Sequence, residues 1–144
     1  MEATYGKVLL GKIEAEDYSY TNKTGVFTET TSDEGGGKNV GWIKSSEILT
    51  YNVNIPVSGT YKIDFRVAGT SNGVIEFKSG ENLLSTVNFP STGSWQKWQT
   101  ISTNVTLSAG MQPLTIFVTT PGFNINWINI SPVSFKFGEF TISE

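Results

Sequence analysis

Tyr61-Lys62-Ile63-Asp64-Phe65-Arg66-Val67 decides the fold. Tyr61, Ile63, Phe65 and Val67 are apolar, and the residues between them are all charged. A period of two sends successive side chains to opposite faces, which marks a strand with one face in a core and one in water. The alternation recurs on either side. Leu49, Tyr51, Val53 and Ile55 interleave with Thr50, Asn52 and Asn54; Leu114, Ile116 and Val118 interleave with Thr115, Phe117 and Thr119. Turn-forming clusters separate these runs: Pro56 to Gly59, Gly69 to Gly73, Ser79-Gly80, Pro90 to Gly93, Ala109-Gly110 and Pro121-Gly122. No long stretch carries a helical period. The pattern predicts strands over 7–16, 25–30, 39–43, 48–55, 60–68, 73–78, 83–89, 95–108 with a break, 112–120 and 124–130. Residues 134–142 read as a last strand or as the start of a linker. Many short strands at regular spacing imply an all-β domain, a β-sandwich or barrel.

The 144 residues suffice for one domain with a core, and 38% hydrophobic against 16% charged residues marks a globular chain. A net charge of -3 without a basic cluster speaks against nucleic acid as a partner. Val8-Leu9-Leu10 is far too short to cross a membrane. There is no cysteine and no histidine. Their absence removes disulfides and the Ser–His and Cys–His nucleophile pairs, and it denies zinc its preferred ligands. A metal here is expected to be a hard cation held by oxygen.

Two tryptophans stand beside glycine-rich turns: Trp42 follows Gly35-Gly36-Gly37-Lys38-Asn39-Val40-Gly41, and Trp95 follows Thr92-Gly93-Ser94. The face of an indole is apolar and slightly negative, and the axial C–H groups of a sugar ring are its complement. Two facing indoles would sandwich one pyranose, with planar polar groups bonding its hydroxyls. Asn124, in Gly122-Phe123-Asn124, offers such a group on a third glycine-containing loop. The competing reading places both indoles in the core and makes Asn124 a turn cap. Glu14 and Glu16 lie two apart, so a strand would aim both carboxylates the same way. They suit a bound cation, a solvated face, or acid–base work on a glycoside. Parallel carboxylates flank a substrate poorly, which ranks the cation above catalysis. Trp98 and Trp127 lie within alternating segments and read as core.

Six segments resemble, in order, the family 6 carbohydrate-binding modules. These are Ile13-Glu14-Ala15-Glu16-Asp17-Tyr18; Gly35-Gly36-Gly37 followed by Asn39-Val40-Gly41-Trp42; and Ser58-Gly59-Thr60-Tyr61 followed by Phe65-Arg66-Val67-Ala68. The others are Pro90 to Gln96 with Trp98-Gln99-Thr100, Leu107-Ser108-Ala109-Gly110, and Gly122 to Ile128. The resemblance covers about Ile13 to Ile130. It implies a jelly-roll β-sandwich of two antiparallel sheets with no catalysis. It also implies secretion as an accessory module of a glycoside hydrolase, and a monomer whose partner is a polysaccharide or oligosaccharide. It assigns sugar stacking to Trp42 and Trp95, hydroxyl bonding to Asn124, and contact with the terminal sugar to Glu29. It implies a structural calcium held by Glu14, Glu16, a backbone carbonyl near Lys38, and Asn126. A β-1,3-glucan is the expected ligand, with xylan and agarose as alternatives from the same family. A small glycoside hydrolase using Glu14 or Glu29, and an adhesion module with all its aromatics in the core, are the alternatives from other classes.

Overall fold

The computed structural model of the protein describes residues 11–22, 26–137 and 140–143. In chain order the elements are β1 (Gly11–Glu14), a 3-10 turn (Ala15–Asp17), β2 (Tyr20–Thr21), β3 (Phe27–Thr30), β4 (Lys38–Gly41), β5 (Ile48–Ile55) and β6 (Gly59–Gly69). They continue as β7 (Gly73–Ser79), β8 (Asn82–Phe89), β9 (Ser94–Leu107), β10 (Gly110–Thr120), β11 (Phe123–Phe137) and β12 (Phe140–Ser143). One antiparallel sheet runs β3-β4-β11-β6-β9, with β1 and β12 also paired to β11. The other runs β2-β5-β10-β7-β8. The two form a β-sandwich, one of the two architectures that the alternation allows and the one that the resemblance implies.

The core is the set of apolar residues that the alternation picks out. Tyr61, Ile63, Phe65 and Val67 of β6 face Leu49, Tyr51, Val53 and Ile55 of β5 and Leu114, Ile116 and Val118 of β10, all buried. Phe65 sits near the middle, edge-on to Phe77 at 5.4 Å between ring centres, and 5.5 Å from Phe89. Burying side chains of this size contributes ~2 kcal/mol each relative to exposure.

The structure corrects several expectations. The strand expected over 7–16 ends at Glu14, and Glu16 lies in the 3-10 turn (residues 7–10 are outside the described residues). The turn is held from inside, where Ala15 is fully buried and its carbonyl accepts the Tyr51 hydroxyl at 2.7 Å. Glu14 and Glu16 therefore do not share a strand face. Strand β9 is one strand whose pairing with β6 is regular from Gly59↔Leu107 to Val67↔Gln99 and then irregular, because the next partners are Gly69↔Ser94, so the expected break is a register shift near its start. The described residues of 134–142 are strand, the first of the two readings, but divided between two elements: β11 continues to Phe137, and β12 pairs antiparallel with it, while residues 138–139 lie outside the described set.

Trp98 and Trp127 are half-buried, not core. In β9, Val105 and Leu107 face inward, so alternation sends Trp98, an even position, outward. In β11 a bulge intervenes: Ile125 pairs with Val67, but Trp127 pairs with Arg66. The extra residue shifts the phase, so Ile128 and Ile130 take the core side and Trp127 lies on the outer face with Lys12 Nζ 5.8 Å from its ring centre.

Candidate functional site

The outer face of the larger sheet ends, at one rim, in a cleft of about 370 Å³ lined by Glu29, Trp42, Trp95 and Asn124. All four residues that the sequence singled out for sugar contact are thus brought together. Trp42 is 55% exposed and Trp95 is 47% exposed, which excludes the reading of either indole as core.

Each indole is held by its backbone. Trp42 follows β4 with φ +56°, a left-handed conformation that a bulky side chain adopts at a cost of ~1–2 kcal/mol. Such strain persists only where the surroundings over-determine it. Here Phe27, edge-on at 6.0 Å and 85°, supports the ring. Trp95 is the second residue of β9, not a loop residue. The turn before it is clamped to the end of β6: the Thr92 and Gly93 amides donate to the Gly69 carbonyl at 2.9 and 3.1 Å, and the Gly69 amide donates to Thr92 Oγ1 at 3.0 Å. Gly69 has no substitute, because a Cβ there would lie 2.2 Å from the Gly122 carbonyl. Asn124 is likewise on a strand, β11, and only 3% exposed. These strands run to the rim because Gly69 pairs with both Phe123 and Ser94.

The polar floor is a network of amides around one carboxylate oxygen. Glu29 Oε2 accepts from Gln96 Nε2 at 3.0 Å, Asn39 Nδ2 at 3.2 Å and Asn124 Nδ2 at 3.4 Å. Asn124 Nδ2 also donates to the Trp95 carbonyl at 2.8 Å, which ties the floor to one wall. Gln96 is the hub. Its Nε2 donates to Asn39 Oδ1 at 3.1 Å, while its Oε1 accepts from the Ser32 amide at 2.8 Å and from Trp98 Nε1 at 3.2 Å. Sequence reasoning missed Gln96 and the fully buried Asn39. Asn39 was within reach: pairing the strands expected over 25–30 and 39–43 sets Glu29 opposite Asn39, as observed. Gln96 carried no such signal.

Gly41 keeps the floor open. A Cβ at Gly41 would lie 2.9 Å from Asn124 Oδ1. Its backbone is ordinary, so Gly41→Ala is expected to fold, to displace the Asn124 amide, and to weaken sugar binding by about tenfold, the equivalent of one charge-assisted bond lost. Titration calorimetry on this variant reads the effect directly; unchanged affinity would remove Asn124 from the contact set.

A second cluster concerns the implied metal. The 3-10 turn packs against β4 and β11, the strands that carry Lys38 and Asn126, and the Lys38 charge acts on Glu16. Glu16 Oε1 and Asn126 Oδ1 are both buried without a hydrogen-bond partner. The Asn126 amide is oriented by Asp33, whose Oδ2 accepts from Nδ2 at 2.9 Å, so its oxygen is the atom left over. Burial pushes the Glu16 carboxyl above the usual range, the bond to its own backbone amide opposes this, and Glu14 and Asp17 push the same way as burial. Orphaned buried oxygens are costly, and oxygens of this kind are the donors that a hard cation prefers. The residues therefore fit a calcium. Glu14 is less committed: it is paired at the surface with Lys12 at 3.6 Å. Among the described residues no group of three acidic side chains is placed to hold a metal by itself.

The family model "Carbohydrate binding module (family 6)" matches residues 14–132. The chain is 40% identical over 125 residues to the clotting factor G alpha subunit of Tachypleus tridentatus, covering 84% of this chain and 18% of that protein. The chain therefore spans under a fifth of that relative. The structure resembles the family 6 module of Cellvibrio mixtus lichenase 5A, solved with cellotriose, with a TM-score of 0.78 and 42% identity, covering 86% of this chain and 98% of the other. It also resembles the C-terminal family 6 module of a marine laminarinase from Zobellia galactanivorans, with a TM-score of 0.77 and 40% identity, covering 83% and 97%. With the match spanning both sheets and the rim cleft, this chain belongs to family 6 of the carbohydrate-binding modules, which bind sugars without catalysis.

Proposed function

We propose that the rim cleft binds a β-1,3-linked glucan, with one pyranose between Trp42 and Trp95 and its hydroxyls bonded by Asn124 and Glu29. The carrying observation is the pair of half-exposed indoles opening on one cleft over a polar floor. The laminarinase origin of one similar module supports the linkage. Stacking and hydroxyl bonding of this extent support micromolar affinity, about −8 kcal/mol. Titration with laminari-, cello-, xylo- and agaro-oligosaccharides tests it, and a stronger response to xylo- or agaro-oligosaccharides would replace the β-1,3 assignment. The protein is a monomeric module of a larger secreted polysaccharide-degrading enzyme on this reading.

Hydrolysis by the module itself is disfavoured, because glycosidases flank the scissile bond with two carboxyl groups and Glu29 is the one carboxylate among the described residues lining the cleft. No reducing ends are expected from soluble glucans.

Calcium on Glu14, Glu16, the Lys38 carbonyl and Asn126 completes the proposal as a structural ligand away from the sugar. Calcium at about 100 times its dissociation constant stabilises the native state by ~2.7 kcal/mol. Chelation is then expected to lower the melting temperature by roughly 8 °C, and Glu16→Gln to abolish that response. A melting curve indifferent to chelator in the parent protein would eliminate the metal.

A further inference from the structure

We propose that Phe27 forms a further sugar subsite on the open side of the cleft; this rests on the reading of the cleft as a glucan site. Among the described residues Phe27 is the most exposed of the large hydrophobic side chains, at 58%. It lies on β3, an edge strand of the larger sheet. Side chains two apart on a strand share a face, about 7 Å from each other, so Phe27 shares the face of Glu29, which lines the cleft.

The strand pairing makes the placement specific. Phe27 pairs with Gly41, and on the other side of Gly41 stands Asn124. Gly41 contributes no side chain, so Phe27 and Asn124 face each other across a gap two strand spacings wide, roughly 10 Å. Phe27 is thus the outer wall of a trough whose inner wall is Asn124. Its edge-on contact with Trp42 fixes the ring without burying it. The planes are 85° apart, so the two aromatics form a corner, not a flat platform. A corner suits a chain whose successive rings turn, as 1,3-linked glucose units do. The flat ribbon of a 1,4-linked chain would meet one wall only.

The test is a chain-length series by titration calorimetry, with laminaribiose, laminaritriose and laminaritetraose on the parent and on Phe27→Ala and Phe27→Tyr. In the parent, one more stacked ring is expected to raise affinity about fivefold somewhere between the disaccharide and the tetrasaccharide. Phe27→Ala should remove that gain, read relative to the same variant's affinity for laminaribiose so that any effect through Trp42 cancels, while Phe27→Tyr should keep it. Equal loss at every length would overturn the subsite and make Phe27 a prop for Trp42. A gain that survives in Phe27→Ala would overturn it as well. Failure of the parent to bind any member of the series is a different outcome, because it removes the glucan reading itself.

Discussion

Trp95→Ala is expected to reduce oligosaccharide affinity by at least about 100-fold, equivalent to ~2.7 kcal/mol. One face of the sugar loses its stacking partner, and the area that partner covered returns to water. Stability should change by no more than about 1 kcal/mol, or roughly 3 °C, because the ring is 47% exposed and the turn before it is clamped to Gly69 through backbone and Thr92. A destabilisation of several kcal/mol would instead identify a packing residue. Trp42 offers a sharper version of the test. Its φ of +56° suits glycine and penalises every other residue. Trp42→Gly and Trp42→Ala should both fail to bind, yet the glycine variant should be about 1 kcal/mol the more stable. Equal stabilities would argue that the backbone relaxes once the indole is gone.

The second large effect concerns stability. Arg66→Ala is expected to cost about 3 kcal/mol at neutral pH. Arg66 Nε and Nη2 donate to the two Asp33 carboxylate oxygens, each at 2.8 Å, and Nη1 donates to Thr100 Oγ1 at 3.0 Å. The Asp33 side chain is only 4% exposed, so removing the guanidinium strands a buried carboxylate. In the intact protein the Arg66 bonds, against the opposing effect of burial and with help from Asn126 and the Glu34 amide, hold the Asp33 carboxyl below the usual range. A depressed folded pKa stabilises the protein above the unfolded value near 4 and loses that contribution as pH falls through the folded value. Without Arg66 the largest cause of that depression is gone, and burial opposes what Asn126 and the Glu34 amide still contribute. The variant's deficit should therefore be largest at pH 7 and shrink towards pH 3. Urea denaturation of both proteins across this range measures it, and a deficit independent of pH would mean that lost packing of the arginine stem dominates. Asp33→Asn in the Arg66→Ala background should recover part of the loss at pH 7.

The alternation in β5, β6 and β10 was legible because the side-chain period of a strand is a local property. It named the core residues of these strands and an all-β sandwich or barrel without knowledge of strand order, and the family resemblance selected the sandwich. Trp42, Trp95, Asn124 and Glu29 were picked out through residue type, neighbouring glycines and family resemblance, and they line one cleft. The phase of Trp98 relative to the buried Val105 and Leu107 points it outward, so its position on the outer face is local information too. Trp127 was not recoverable from phase alone, because one extra residue between Ile125 and Trp127 reverses every later face.

The chain by itself determined which apolar residues of the regular strands are inside, since burial there follows from a two-residue period that each strand carries independently. Only the tertiary structure decided which residues meet. Gln96 joins Glu29, Asn39, Ser32 and Trp98 from distant points of the chain, and Asp33 turns the Asn126 oxygen towards its buried site. Such meetings depend on sheet order, on a single bulge and on amide orientations. Each of these is set by partners far away in sequence, so no local pattern encodes them.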